Sequence, residues 1–334
     1  MKPSQLFAAI NGLLDCRLAG MVWGPPGIGK SDIMAQVAAH RAKRIKGYEL
    51  RDVRLGMMDP TDIKGFPAPD LTKKHMFWLP PNWLPTKGSG LLFLDELSSA
   101  PPMVQASAYQ LILNRRVGDY ELPPGWDTMG AGNNEGDRAV AHRMSTALAN
   151  RMIHLKAEVD LDEYVAYADK MGITDNTISF NRFRPNLLHD FKPDAKEHAF
   201  PTPRSWFFVD NIMKNSSLHG DTLRQTISGA VGPGAAGEYL AFIQVVKDLP
   251  TREEIKLNPK KVPVPTSPAV LHAVVTMMER DTTERNFSVY MDFVERISRE
   301  FQMTYIKAAL GRAPKIKQDP VYKSWALKNV DLVQ

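Results

Sequence analysis

Apolar and polar positions along the chain follow two different periods. Ala19 to Trp23 is a short apolar run suited to a buried strand, and Ser31 to Lys43 has apolar residues at helical spacing and basic residues at its end. Tyr48 to Leu55 alternates and predicts a second strand. Leu91-Leu-Phe-Leu94 is continuously apolar, as a central parallel strand covered on both faces must be. Gln5 to Leu14 predicts a short first helix, Pro101 to Asn114 a later one, Arg115 to Asp127 a hairpin, Thr128 to Gly132 the end of a strand, and Arg138 to Ala149 another helix. Residues 56–90 fit neither period. That stretch is long for a loop in a compact domain, so it is expected to be functional or to contain a hairpin.

Beyond about residue 155 the pattern is helical, beginning with the amphipathic segment Asp160 to Met171. Prolines over 256–268 predict an extended linker, and Ser267-Pro268 suits the start of a helix running to about Met278. The chain is helical again from 283, and no internal repeat is visible. Strands alternating with helices, followed by helices alone, predict an α/β domain with a central parallel sheet and then an α-helical region. The expected boundaries are an α/β core at 1–154, a helical segment at 155–250, a linker at 251–268 and a helical C-terminal region at 269–334.

Composition adds limits rather than detail. The 334 residues are 43% hydrophobic and 24% charged, ordinary for a soluble globular chain. A formal charge of +5 is compatible with an acidic protein or a nucleic acid and diagnostic of neither. Cys16 is the only cysteine, which excludes an intrachain disulfide and fits a reducing compartment. No apolar run has membrane-spanning length and no signal peptide is evident, so the expected location is the cytoplasm. His and Cys show no metal-ligand spacing; His142 and His154 read as structural.

The chemistry is concentrated at Gly24-Pro25-Pro26-Gly27-Ile28-Gly29-Lys30-Ser31, followed by Asp32. It lies between a strand and a helix, where G-x-x-x-x-G-K-[ST] forms a phosphate-binding loop. Gly24, Gly27 and Gly29 are expected to adopt backbone angles that a Cβ would block. N–H groups from Gly27 to Ser31 would then face one phosphate chain, Lys30 would reach the β- and γ-phosphates, and Ser31 would hold Mg²⁺. The apolar run at 91–94 ends in Asp95-Glu96, placing Asp95 at the carboxyl edge of the sheet as a second Mg²⁺ ligand and Glu96 beside it to polarise water. That pair favours hydrolysis over transfer to a metabolite. Asn133, or failing it Asn134, ends the next strand and would bond water and the γ-phosphate without adding charge. Arg151 closes a helix and would stabilise charge on a transferring phosphoryl group, and Arg204 in Pro201-Thr-Pro-Arg204 would touch the γ-phosphate.

These elements in this order resemble the AAA+ ATPases, and most closely the MoxR branch with its CbbQ-like members. The resemblance rests on GPPGIGKS, DPTDIKGFP, the run LPPNWLP to DELSSAPPMVQASAYQLILNRRVGDYELPPGW, AGNN, ALANRM and FPTPRSWFFVDNI, over about residues 15–245. It implies an AAA+ P-loop core followed by an α-helical lid and a helical C-terminal region. It implies ring-shaped hexamers with ATP and Mg²⁺ between subunits. Arg151 would then be a finger acting on a neighbour's nucleotide, with Arg143 a second candidate, and Arg204 a sensor on the lid. It further implies one hairpin inserted at 56–85, another at 115–126, and a partner that remodelling acts on, often a protein with a von Willebrand factor A domain. A DNA-associated motor and a nucleotide-gated scaffold with little turnover are the competing functions. No nucleic-acid-binding motif supports the first, and intact Glu96 and Asn133 oppose the second. Among weaker signals, Phe77, Trp78 and Trp83 read as packing of the insert, although a pore segment would use the same residues. Lys73-Lys74-His75 reads as a solvated loop, and Met277 and Met278 as core.

Overall fold

The computed structural model describes residues 1–334 except 71, 73, 74, 135, 137–148, 196, 248 and 331–334. The helix expected over Arg138 to Ala149 lies almost wholly outside the described residues. The chain divides into two compact units: the first comprises 1–164, 191–197 and 202–204, and the second 165–190, 198–201 and 205–334.

The first unit is built on β1 (Gly20–Trp23), β2 (Tyr48–Arg54), β5 (Ser89–Asp95), β8 (Gly125–Gly132) and β9 (Ile153–Lys156), all parallel, in the order β2-β5-β8-β1-β9. Strand β8 extends three residues further back than its apolar pattern suggested, because Gly125 to Asp127 pair with Ser89 to Leu91. Alternate residues go to opposite faces. Met21, Leu92, Leu94 and Trp126 pack with α4 (Pro102–Asn114), and Val22, Leu91, Phe93 and Met129 pack with α1 (Pro3–Asp15) and α2 (Lys30–Ala42). Coverage on both faces explains why β5 is apolar at every position from 91 to 94.

Residues 56–85 resolve into a short helix α3 (Pro60–Lys64) and an antiparallel hairpin, β3 (Phe66–Asp70) with β4 (His75–Leu79). A second hairpin, β6 (Arg116–Val117) with β7 (Tyr120–Glu121), follows α4. The hairpins are tied together where Trp78 N–H donates to Asp119 (2.7 Å). Trp83 lies against the core and its indole N–H donates to the Asp62 carbonyl (2.8 Å), so it serves packing. The apolar pair Phe66 and Leu79 is exposed on the first hairpin. Lys73 and Lys74 lie outside the described residues.

The second unit is helical among the described residues. It contains α5 (Leu161–Lys170, from Val165), α6 (Asp175–Phe183), α7 (Pro203–Asn215, from Ser205), α8 (Gly220–Val231), α9 (Pro233–Val245), α10 (Arg252–Leu257), α11 (Pro268–Asp281), α12 (Phe287–Val294), α13 (Arg299–Arg312) and α14 (Pro320–Lys328). Its core joins Ile255, Val274, Met278, Phe287, Tyr305 and Trp325. Met277 packs against that core partly buried. Helix α10 occupies the start of the stretch at 251–268 expected as a linker, and reaches only two residues into 256–268, the part expected to be extended. Thr251 accepts from Glu254 N–H while the Glu254 carboxylate accepts from Thr251 N–H, a reciprocal cap that starts a helix despite the prolines downstream. Val262 and Val264 then pack on the same core, so this stretch is not a free spacer. Arg182 pairs with the buried Glu279 at 2.6 Å, and Arg280 bridges Asp169 and Asp175. Among the described residues no helix is long and apolar enough to cross a membrane.

Candidate nucleotide site

The site is assembled at the carboxyl ends of β1, β5 and β8. After Trp23 the chain turns through residues 24–29 into α2. Gly27 and Gly29 have φ of +76° and +92°, which only glycine adopts without strain. Gly24 corrects the expectation: its φ is not positive, and its requirement is space, because a Cβ there would lie 2.6 Å from Ile28 Cδ1 and 3.2 Å from Ala157 Cβ. Ile28 packs against the core beneath the loop. Lys30 Nζ donates to the carbonyls of Gly24 (2.7 Å) and Pro25 (3.0 Å) and to Asn133 Oδ1 (3.0 Å). Ser31 Oγ donates to Asp95 Oδ2 (2.7 Å), and Asp32 lies in the first turn of α2. Pro26 lies within the turn without a regular hydrogen bond of its own to give.

Sheet order explains this convergence. Strand β8 lies between β1 and β5, so Asn133 is delivered between the phosphate loop and the Asp95-Glu96 carboxylates. Asp95 is buried, and its Oδ1 accepts from the Glu96 N–H at 2.8 Å. Glu96 has φ +57° and ψ +27°, a left-handed conformation that costs a non-glycine residue roughly 1–2 kcal/mol. Such strain at the strand end turns the chain sharply just after the carboxylate. Glu96 Oε2 lies 2.6 Å from where a Cβ on Gly56 would sit. Nearby on β2, desolvation raises the Asp52 carboxyl above its usual range, the Asp95 charge adds to that, and Arg54 opposes it.

Thr202 to Arg204 belong to the first unit and lie on the loop. The Arg204 N–H donates to the Gly27 carbonyl (3.2 Å), and the Thr202 side chain lies 2.7 Å from an added Gly27 Cβ; the Arg204 side chain is exposed. Arg151 is exposed as well. It is joined to α4, its guanidinium donating to the Tyr109 hydroxyl and lying 5.8 Å from the ring centroid. Asn134 follows Asn133 beyond the end of β8 and belongs to no regular element. Arg143 lies outside the described residues. His154 accepts from Trp23 Nε1–H and its other nitrogen meets the Ala149 carbonyl, a structural pairing.

Pattern reading missed several residues. Ser98 bonds both backbone groups of Asn133, Gly132 gives that hydroxyl room, and Gly56, Thr202 and Tyr109 border Glu96, Gly27 and Arg151. All of them sit in or beside the quoted motifs, yet nothing in their spacing discloses what they touch.

No protein-family model matches this chain, and no curated protein matches it in sequence. Among solved structures it is similar to NtrX from Brucella abortus in complex with ADP, at TM-score 0.44 and 15% identity over 92% of this chain and 68% of that one. It is similar to a RuvB mutant from Thermotoga maritima, at TM-score 0.41 and 16% identity over 88% and 85%. A structure titled as a putative ATPase from Cytophaga hutchinsonii gives TM-score 0.36 and 12% identity over 92% and 79%. Likenesses this weak assign no activity or partner. The sheet order and the phosphate loop define the class from this chain's own residues: a P-loop α/β core with a helical region after it.

Proposed function

We propose that this chain is an Mg²⁺-dependent ATPase of the AAA+ class, akin to the MoxR branch, that acts as a ring of identical subunits on a protein partner. The observation that carries the reading is the joining of Lys30 to Asn133 at 3.0 Å and of Ser31 to Asp95 at 2.7 Å. Residues from three separate strand ends thereby meet at one phosphate loop.

The donor set suits the metal: a hydroxyl and a carboxylate in contact are the hard oxygen ligands Mg²⁺ prefers, and Ser31 and Asp95 would hold it. When bound, Mg²⁺ supplies neutralisation of phosphate charge. Residues 24–31 bind the triphosphate of ATP through their N–H groups, with Lys30 leaving the loop carbonyls to reach the β- and γ-oxygens. Glu96 orients and deprotonates the attacking water, and Asn133 holds that water in line. Arg204, whose N–H is held on the Gly27 carbonyl in the first turn of α7, touches the γ-phosphate with its exposed side chain. Exposed Arg151 projects toward a neighbouring subunit's nucleotide, and this is what makes a ring necessary; Arg143 is a second candidate for that task. Exposed Phe66 and Leu79 on the inserted hairpin suit contact with a partner such as a von Willebrand factor A domain protein, working in the cytoplasm.

The test is phosphate release together with light scattering in ATP and Mg²⁺. The proposal expects steady turnover, a mass near six subunits, and loss of turnover in Lys30→Ala. A monomer that releases no phosphate would overturn it.

A further inference from the structure

Strand β8 ends at Gly132, and with it the backbone ladder. Its last pairings are Leu94 with Gly130 on one side and Trp23 with Gly132 on the other. Asn133 follows directly and so leaves the sheet with no strand neighbour for its N–H and C=O. A backbone group left unpaired as it is removed from water costs up to roughly 1–3 kcal/mol; Asn133 is half-buried, and one side chain meets both of its groups. Ser98 Oγ accepts from the Asn133 N–H (3.1 Å) and donates to the Asn133 carbonyl (3.3 Å). Ser98 is 2% exposed, so water does not compete for the hydroxyl.

Gly132 is matched to this arrangement. A Cβ on it would lie 2.4 Å from Ser98 Oγ and 2.8 Å from Ser98 Cβ, so any other residue would drive the hydroxyl off Asn133. Ser98 stands three residues after Asp95, in the turn that follows Glu96. One hydroxyl therefore links the carboxylate-bearing strand end to Asn133, and the Asn133 carboxamide continues to Lys30.

We propose that Ser98 is a positioning residue: by clamping the Asn133 backbone it fixes where the Asn133 carboxamide points, in register with Asp95 and Glu96. The inference rests on the ATPase reading above for its kinetic consequence, but its structural half stands alone. Two variants, Ser98→Ala and Ser98→Thr, are compared with the wild-type chain by ATP turnover, by titration with a fluorescent ADP analogue, and by hydrogen–deuterium exchange at the Asn133 amide. Ser98→Ala should lower kcat about tenfold, leave nucleotide affinity within about twofold, and speed exchange at Asn133 at least about tenfold. Ser98→Thr keeps the hydroxyl and should restore most of both. If exchange at Asn133 is unchanged in Ser98→Ala, the clamp is refuted whatever the activity. If exchange accelerates but kcat holds at the wild-type value, positioning is refuted. A wild-type chain with no turnover but accelerated exchange in Ser98→Ala would sink the ATPase reading and the kinetic role, and keep the clamp.

Discussion

Substituting alanine at Gly29 and at Gly27 separates backbone strain from overpacking. Gly29 has φ +92° and nothing closer to an added Cβ than Asp32 Oδ2 at 3.7 Å, an ordinary contact. Gly29→Ala therefore meets backbone strain alone, about 1–2 kcal/mol. Gly27 has φ +76°, and its Cβ would also meet Thr202 Cβ and Oγ1 at 2.7 Å, short of ordinary contact by about 0.7 Å. Thr202 is 5% exposed and cannot swing into solvent. Gly27→Ala thus adds an overpacking cost of about 1–3 kcal/mol to the same strain. Combining it with Thr202→Gly removes the colliding atoms, and the residual penalty should return to that of Gly29→Ala. The assay is urea unfolding followed by tryptophan fluorescence, run as a double-mutant cycle against Thr202→Gly alone. Gly27→Ala should be clearly more destabilising than Gly29→Ala, with a coupling to Thr202 of about 1 kcal/mol or more. Equal losses for Gly27→Ala and Gly29→Ala, or no coupling to Thr202, would refute the reasoning and remove Thr202 from the loop's support.

Gly56→Ala would place a Cβ 2.6 Å from Glu96 Oε2 and displace that carboxylate by close to 1 Å; turnover should fall about tenfold or more with nucleotide affinity retained, as kinetics and an ADP titration would read. For Arg151, equimolar mixing of Arg151→Ala with Lys30→Ala should yield more turnover than either alone, because mixed rings contain one complete shared site; no gain on mixing would exclude a finger acting between subunits. In the second unit, burial raises the Glu279 carboxyl above its usual range, with Arg182 opposing. A folded pKa raised above the unfolded one, about 4.3, contributes stability that is present in acid and lost as pH rises through the folded value. Glu279→Gln should flatten that fall in a pH series of melting temperatures, whereas Arg182→Ala strands the buried carboxylate and should cost about 3–5 kcal/mol at pH 7.

The sheet and the phosphate loop were legible because their signals are local. Four apolar residues at 91–94 are the pattern of a doubly covered strand, and glycines at 27 and 29 stand where the backbone reverses. A hairpin within 56–85 was expected from the length of that stretch and from the resemblance, but its two strands were not legible, because Pro67 and Pro69 hide their period. Among the described residues strand β3 pairs with β4 alone, so its prolines fall on an edge, where missing donors are tolerated. Helix α10 was lost for the converse reason: the prolines after 258 masked the Thr251–Glu254 cap. At the site, the residue types of Lys30, Ser31, Asp95 and Asn133 pointed to phosphate chemistry before any fold was in view. The work of Ser98 did not, because a serine three positions after an aspartate acquires a partner only when β8 settles next to β5. Similarly, that Gly24 needs space rather than a left-handed turn shows only once the loop folds Ile28 back on it and brings up Ala157, which sequence separates from it by more than a hundred residues.

The central claim is that residues joined at the loop hydrolyse ATP with Glu96 as the base. The measurement that reaches it most directly is ATP turnover beside nucleotide binding, in the wild-type chain and in Glu96→Gln. The account predicts steady phosphate release by the wild type, a loss of about a hundredfold or more in Glu96→Gln, and undiminished ATP binding in both. Equal turnover in the two proteins would contradict it.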